Sequence, residues 1–310
     1  MFERMMKSAK PNPDLFSGLV VALLTLLCLI IYRHILPSVN NFTQLLINET
    51  TIVLIAFLAM RFHRVSPRVV LPIRMPRFRQ IAGIILLGGC TFYLSAMVNI
   101  VTMPLFSQMD IDAFNNQMKE MMTSSSLPVM LLMCALLPGI CEEILFRGFI
   151  QYSCSRLKKR WMIPCVVGLL FGIVHFHLFR ILPTAIIGIA LSFIMLRSQN
   201  ISLSMLGHFL NNATVILISY VGTTMYPKTT DFSDHTLSPD LYVFAIGLFL
   251  FFGSLLPLVL YGSNILLLGK DEKLPAPDVI KRHIFRCFFI SVLLLALGSG
   301  VVAFSLKMAI

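Results

Sequence analysis

Residues 127–150 read LPVMLLMCALLPGICEEILFRGFI, an apolar run interrupted by Glu142, Glu143 and Arg147. A bilayer's hydrocarbon core of about 30 Å takes about 20 helical residues, so the run is long enough to cross it. An acidic residue at the centre of such a helix costs about 2.5–3.5 kcal/mol on insertion scales. Two adjacent carboxylates therefore imply partners or a water-filled cavity inside the fold. Glu143 and Arg147 stand four residues apart and share a helical face, where they can pair. Glu142 points about 100° further round the helix. One intrahelical ion pair accounts for Glu143 and Arg147 and leaves Glu142 unexplained. In an apolar setting, Glu142 can exchange protons near neutrality as a general base or acid.

Composition agrees with the membrane reading. The 310 residues are 57% hydrophobic and 13% charged, with a mean hydropathy of +0.85, whereas a soluble domain carries about 25% charged residues. The expected fold class is all-α: a polytopic transmembrane helical bundle of eight or nine spans. It forms a single integral membrane domain over 1–310, because no hydrophilic stretch is long enough to bury a core of its own. The apolar run Leu15–Tyr32 lacks a following A-x-A-like site and reads as a retained first span, not a cleaved signal. The net charge of +11 lies in short loops between spans, so the bilayer is an expected partner and nucleic acid is not. The seven cysteines include no C-x-x-C pair and read as small buried hydrophobes. Acidic neighbours disfavour a thiolate at Cys141.

The apolar runs predict spans at about Leu15–Tyr32, Leu45–Met60, Ile81–Val101, Leu127–Gln151, Trp161–Leu178, Ile181–Leu196, Ile201–Val221, Leu241–Tyr261 and Cys287–Ala309. The second is short and carries Asn48 and Glu49 near its start, and charge asymmetry rescues it. Arg61, Arg64, Arg68, Arg74, Arg77 and Arg79 place loop 61–80 in the cytoplasm by the positive-inside rule, and Arg4, Lys7 and Lys10 place the N-terminus there too. Two spans must separate them. Segment 102–126 and the acidic 223–240 loop then face the other side. The basic groups Arg156–Arg160, Arg197 and Lys270–Arg286 return to the cytoplasm. Residues 106–122 have the spacing of an amphipathic interfacial helix, with Met109, Phe114, Met118 and Met122 along it.

Three neighbouring spans carry polar groups at helical spacing. After Glu142, Glu143 and Arg147 come Phe171-Gly-Ile-Val-His175 with His177, and then His208-Phe-Leu-Asn-Asn212. A lone membrane histidine is more often a hydrogen-bonded packing residue, and an Asn–His pair often joins helices. Co-occurrence on successive spans points instead to a hydrolytic centre in a bundle cavity. Gly168, Gly172, Gly188 and Gly207 on the same helices permit close packing.

Glu142-Glu143-x-x-x-Arg147, Phe171-x-x-x-His175 and His208-x-x-x-Asn212, in this order, resemble the three motifs of the CPBP family of intramembrane endopeptidases. The family is also called Abi or type II CAAX prenyl endopeptidase and includes the eukaryotic Ras-converting enzyme. The resemblance covers about residues 125–222, which would form the catalytic core. It implies a bundle whose central cavity opens to the cytosol and bilayer, and cleavage of a peptide bond in a membrane-associated protein or peptide. By motif, Glu142 and His175 would activate water, and His208 and Asn212 would bind the developing oxyanion. Glu143 with Arg147 would hold the first motif helix in place.

No cofactor is favoured, although zinc stays open. H-E-x-x-H is absent, but His175, His208 and Glu142 or Glu143 would supply a His2Glu site with one open position. Asn is a rare ligand of catalytic zinc, and the resemblance also points to a metal-free glutamate mechanism. The competing reading is a non-catalytic membrane scaffold or immunity protein, since buried Glu and His also serve proton relays. The expected location is a multi-pass cell membrane, a prokaryotic plasma membrane with the N-terminus cytoplasmic.

Overall fold

The computed structural model describes residues 13–35, 39–102, 105–106, 108–225, 239–268 and 274–308. Arg4, Lys7, Lys10, Lys270, Lys273 and most of the acidic 223–240 loop lie outside these residues. The described elements are helical and no strand occurs among them. They are α1 (Leu15–Ile35), α2 (Asn41–Phe62), α3 (Phe78–Thr102), α4 (Gln108–Thr123), α5 (Leu127–Arg156), α6 (Met162–Ile173), α7 (Leu178–Ser198), α8 (Ile201–Met225), α9 (Pro239–Phe252), α10 (Leu256–Leu266) and α11 (Pro277–Met308). Among the described residues, eight helices are long and apolar enough to cross a membrane, with α9 and α10 joined into one of them. The chain is a multi-pass, all-α membrane protein. Large apolar side chains such as Leu23 on α1 and Phe289 on α11 are exposed on the outside of the bundle, as a lipid-facing surface requires.

The expected fifth span, 161–178, is shortened. Its helix α6 covers only Met162–Ile173, about 18 Å at 1.5 Å per residue, less than a bilayer core. Phe176 turns the chain by adopting the left-handed region at φ 63°, an uncommon conformation for a bulky residue that costs about 1–3 kcal/mol. His177 N then donates to His175 O at 2.8 Å, and α7 begins at Leu178. Among the described residues, eight long helices plus this short one agree with the expected eight or nine spans.

Close packing holds α6 against α7. A Cβ on Gly168 would lie 2.6 Å from Ile189 N, and one on Gly188 would lie 2.8 Å from the Gly168 Cα and 3.0 Å from the Phe171 Cβ. These glycines are required because the two backbones touch. Gly188→Val is therefore expected to lower stability by about 1–3 kcal/mol, the usual range for overpacking. A thermal unfolding midpoint in detergent equal to that of the unaltered protein would refute the assignment.

Two cores flank the polar centre. Ile52, Ile55 and Met60 of α2 pack with Leu145, Phe146 and Phe149 of α5 and with Phe171 of α6. Ile84 and Leu87 of α3 pack with Leu191 and Ile194 of α7 and Leu203 of α8. Helix α5 is not uniformly α-helical. Residues Leu131–Leu136 and Ile144–Ile150 wind as π-helix, a geometry often found at functional sites. The seven α-helical residues between them, Leu137–Glu143, carry both glutamates. Gly139 lets α5 approach α8, since a Cβ there would stand 3.2 Å from Phe209 N.

Candidate active site

Glu143 is the buried hub of the polar centre. Its Oε1 lies 2.8 Å from Arg147 Nη1 and 3.0 Å from His208 Nδ1, and its Oε2 accepts from Ser204 Oγ at 2.5 Å. The sequence predicted the Arg147 contact. The contacts with α8, 61 and 65 residues away, had no local signal. Arg147 is 1% exposed. Its Nη2 donates to Gly188 O at 3.1 Å, and its guanidinium lies 4.5 Å from the centre of the Phe171 ring. One side chain thus ties α5 to α7 and α6. Gln151 and Ser192 add a second tie between α5 and α7, with reciprocal hydrogen bonds of 3.1 and 2.8 Å.

Phe171 organises both imidazoles. Its ring meets His175 at 4.7 Å and His208 at 5.6 Å between centroids, both edge-to-face. His175 Nδ1 lies 2.8 Å from Phe171 O. A carbonyl only accepts, so Nδ1 carries the proton and Nε2 presents a lone pair. The x-x-x spacing of this motif places that bond at i, i+4.

Glu142, His175 and Asn212 line one cavity of about 330 Å³, together with Asn48, Glu49 and Arg180. His208 is only 2% exposed and stands behind Glu142, with its Nε2 3.8 Å from Glu142 Oε2. The structure thus brings three of the four expected site residues to a cavity wall and seats the fourth against the carboxylate of the first. Glu142 Oε2 is buried with no hydrogen-bond partner among the described residues. Asn212 Nδ2 donates to Cys134 O at 3.3 Å, and Asn212 Oδ1 accepts from Asn211 Nδ2 at 3.1 Å. One amide hydrogen of Asn212 is left over.

Glu49 is a site residue that the sequence reading passed over as a blemish in the second span. It is 3% exposed, and its Oε2 is a second buried oxygen without a hydrogen-bond partner. The cost of a buried acid, the argument applied to Glu142, could have found it. Arg180 was also missed, and its guanidinium sits 4.5 Å from the centre of the Phe114 ring on α4. The Phe114 ring also packs edge-to-face with His177 at 5.2 Å, so α4 covers the flank of the His175 turn.

The zinc alternative is left open by the imidazoles, whose Nδ1 contacts are the usual outer-shell bonds of a ligating histidine and leave Nε2 available. His208 Nδ1 is engaged by Glu143 and His175 Nδ1 by Phe171 O. Among the described residues, no group of three or more His, Cys, Asp or Glu side chains is placed to hold a metal ion.

Arg33, Asn41, Gln44 and Gln117 also line the cavity, toward the end of the bundle where α1 stops and α2 starts. The Arg-rich 61–80 loop and the 156–160 turn lie at the other end.

Fold and site together define an integral membrane protein with a carboxylate–imidazole centre inside a helical bundle. Residues 124–214 match the family described as Rce1-like, type II CAAX prenyl endopeptidase Rce1-like, which supports a likeness of that segment to the CPBP, or CAAX-protease-like, family. No curated protein and no solved structure matches the chain.

Proposed function

We propose that the protein is an intramembrane endopeptidase that hydrolyses a peptide bond of a membrane-associated substrate without a metal. The family match supports a CAAX-type protease in general. The observation that carries the finer reading is the meeting of Glu142 and His175 on one cavity wall, each with an uncommitted proton acceptor. Glu142 or His175 takes a proton from water as its oxygen bonds to the scissile carbonyl carbon, and that proton passes to the amide nitrogen as the C–N bond breaks and the amine leaves. The spare amide hydrogen of Asn212 stabilises the oxyanion that forms on the scissile carbonyl; His208, the other residue expected there, stands behind Glu142 and outside the cavity lining. Glu143 orients His208 through Nδ1 and leaves Nε2 facing Glu142, while Arg147 balances the Glu143 charge. No metal ligand set is needed for this sequence of steps.

Comparative proteomics of native membranes tests the assignment. Membranes from cells carrying the intact gene, a deletion and Glu142→Ala are compared, and fragments present only with the intact gene identify substrates. Identical fragment profiles in all three would leave a non-catalytic scaffold as the surviving reading.

Asn212→Ala is expected to slow turnover by about 10²–10³-fold, the usual loss for one oxyanion donor. Single-turnover kinetics on a substrate found by proteomics checks this. Chelators are expected to leave purified protein fully active, with bound zinc far below one per chain. Loss of activity on chelation, restored by zinc, would overturn the metal-free mechanism.

A further inference from the structure

A second cavity, of about 650 Å³, lies between α3, α6, α7 and α10 and shares no lining residue with the Glu142 cavity. Its size is that of a ligand site, about 300–1,000 Å³. Gly168 meets Ile189 and Gly172 meets Ile181, so α6 and α7 run antiparallel and the start of α6 lies beside the end of α7. Ser95 Oγ of α3 donates to Pro183 O near the start of α7 at 3.1 Å, which makes α3 and α7 antiparallel as well. Arg79 Nη2 at the start of α3 donates to Leu268 O, just past the end of α10, at 3.0 Å. The start of α3, the start of α6, the end of α7 and the end of α10 therefore meet at one end of the bundle.

Polar and apolar lining separate along this groove. Every charged or amide side chain on its wall falls at that one end: Arg160 and Trp161 at the start of α6, Arg197 in the last turn of α7 and Asn264 in the last turn of α10. Deeper in, the wall is Leu94, Ile186, Ile189 and Phe193, and the Thr91 hydroxyl is turned to Leu87 O at 2.7 Å. Along α7 the wall from Ile186 to Arg197 runs about 16 Å, close to half of a bilayer core of about 30 Å. Trp161 is the chain's single tryptophan and is 65% exposed. Tryptophan concentrates at the headgroup level of a bilayer, so the polar end of the groove lies at the membrane surface and its apolar end near mid-bilayer. Ile189 and Cys165 on the wall are exposed, which opens the groove sideways to lipid.

We propose that this groove binds one anionic phospholipid from the leaflet at the basic end of the bundle. Its phosphate meets Arg160 and Arg197, its ester oxygens accept from the Asn264 amide, and one acyl chain lies along α7 toward Ile186. Guanidinium groups suit a phosphate because their N–H donors form a planar fork, and basic pockets between membrane helices hold anionic headgroups. Among the described residues no carboxylate lines the groove to receive the ammonium of a zwitterionic headgroup. This binding site does not depend on the protease reading.

The single tryptophan reads the site directly. The full chain is reconstituted in mixed bilayers in which either the phosphatidylglycerol or the phosphatidylcholine carries brominated acyl chains, which quench tryptophan on contact. At equal mole fraction, brominated phosphatidylglycerol is expected to quench Trp161 more strongly, with a preference of about fivefold in relative binding for each arginine. Arg160→Gln with Arg197→Gln is expected to abolish that preference. Lys158→Gln with Lys159→Gln, at the same surface but outside the groove lining, is expected to keep it. Equal quenching by the two lipids in the unaltered chain overturns the proposal, since the groove then takes bulk lipid without selection. A preference that follows the two lysines and not the two arginines also overturns it, as the attraction then belongs to the basic surface at large. Ala190→Phe fills the apolar part of the groove and leaves both arginines in place. It is expected to remove the preference, and it decides the matter should the arginine variant fail to accumulate. An unchanged preference in Ala190→Phe would show that no acyl chain occupies the groove and would refute the site.

Discussion

Glu142→Gln is expected to abolish cleavage while the protein accumulates and unfolds as the unaltered chain does. Glutamine keeps the shape of the side chain and loses only the ability to take a proton. Because Glu142 Oε2 has no hydrogen-bond partner among the described residues, the swap breaks no existing hydrogen bond at that atom. A positioned general base contributes about 10²–10⁴-fold, so residual turnover should fall to that extent or further if His175 cannot act alone. The measurement is single-turnover cleavage, with the thermal midpoint in detergent as the control on folding. If the Glu142→Gln protein performs its cellular role at full strength, the protease reading fails and a scaffold role takes its place.

Arg147→Ala is expected to act on folding before it acts on chemistry. The substitution removes the partner of Glu143, which is 0% exposed, together with the bond to Gly188 O and the cation–π contact with Phe171. Stranding one member of a buried pair costs about 3–5 kcal/mol, a large part of the 5–15 kcal/mol that typically holds a protein folded. The variant should accumulate poorly and melt early. Arg147→Lys should recover only part of the loss, because an ammonium lacks the planar fork that reaches Glu143 and Gly188 together. A wild-type melting midpoint for Arg147→Ala would show that the guanidinium does not brace α5 against α6 and α7.

Much of the centre was legible because helical spacing is a local rule. The i, i+4 separation of Glu143 and Arg147 became a 2.8 Å contact. The same separation between Phe171 and His175 became a hydrogen bond from the imidazole to a carbonyl. The helix expected over 106–122 appears as α4, Gln108–Thr123. Other features were hidden for reasons of physics. Residues 161–174 are apolar throughout, and neither glycine nor proline marks the turn that Phe176 makes after α6. The π-helical turns of α5 change which side chains of that helix share a face, and no residue pattern announces them. The bonds from Glu143 to Ser204 and His208 cross 61 and 65 residues, a distance over which periodicity carries no information.

The sequence by itself determined the membrane class, the approximate spans, the end that carries the basic loops and the set of polar residues bearing the three motifs. Hydropathy, charge placement and helical period are properties of neighbouring residues, so one chain suffices to read them. Only the tertiary structure decided that Glu143 holds His208 as well as Arg147 and that Glu49 on α2 shares the cavity of Glu142. Each of these depends on how separate helices pack, and glycine contacts and buried hydrogen bonds between distant segments set that packing.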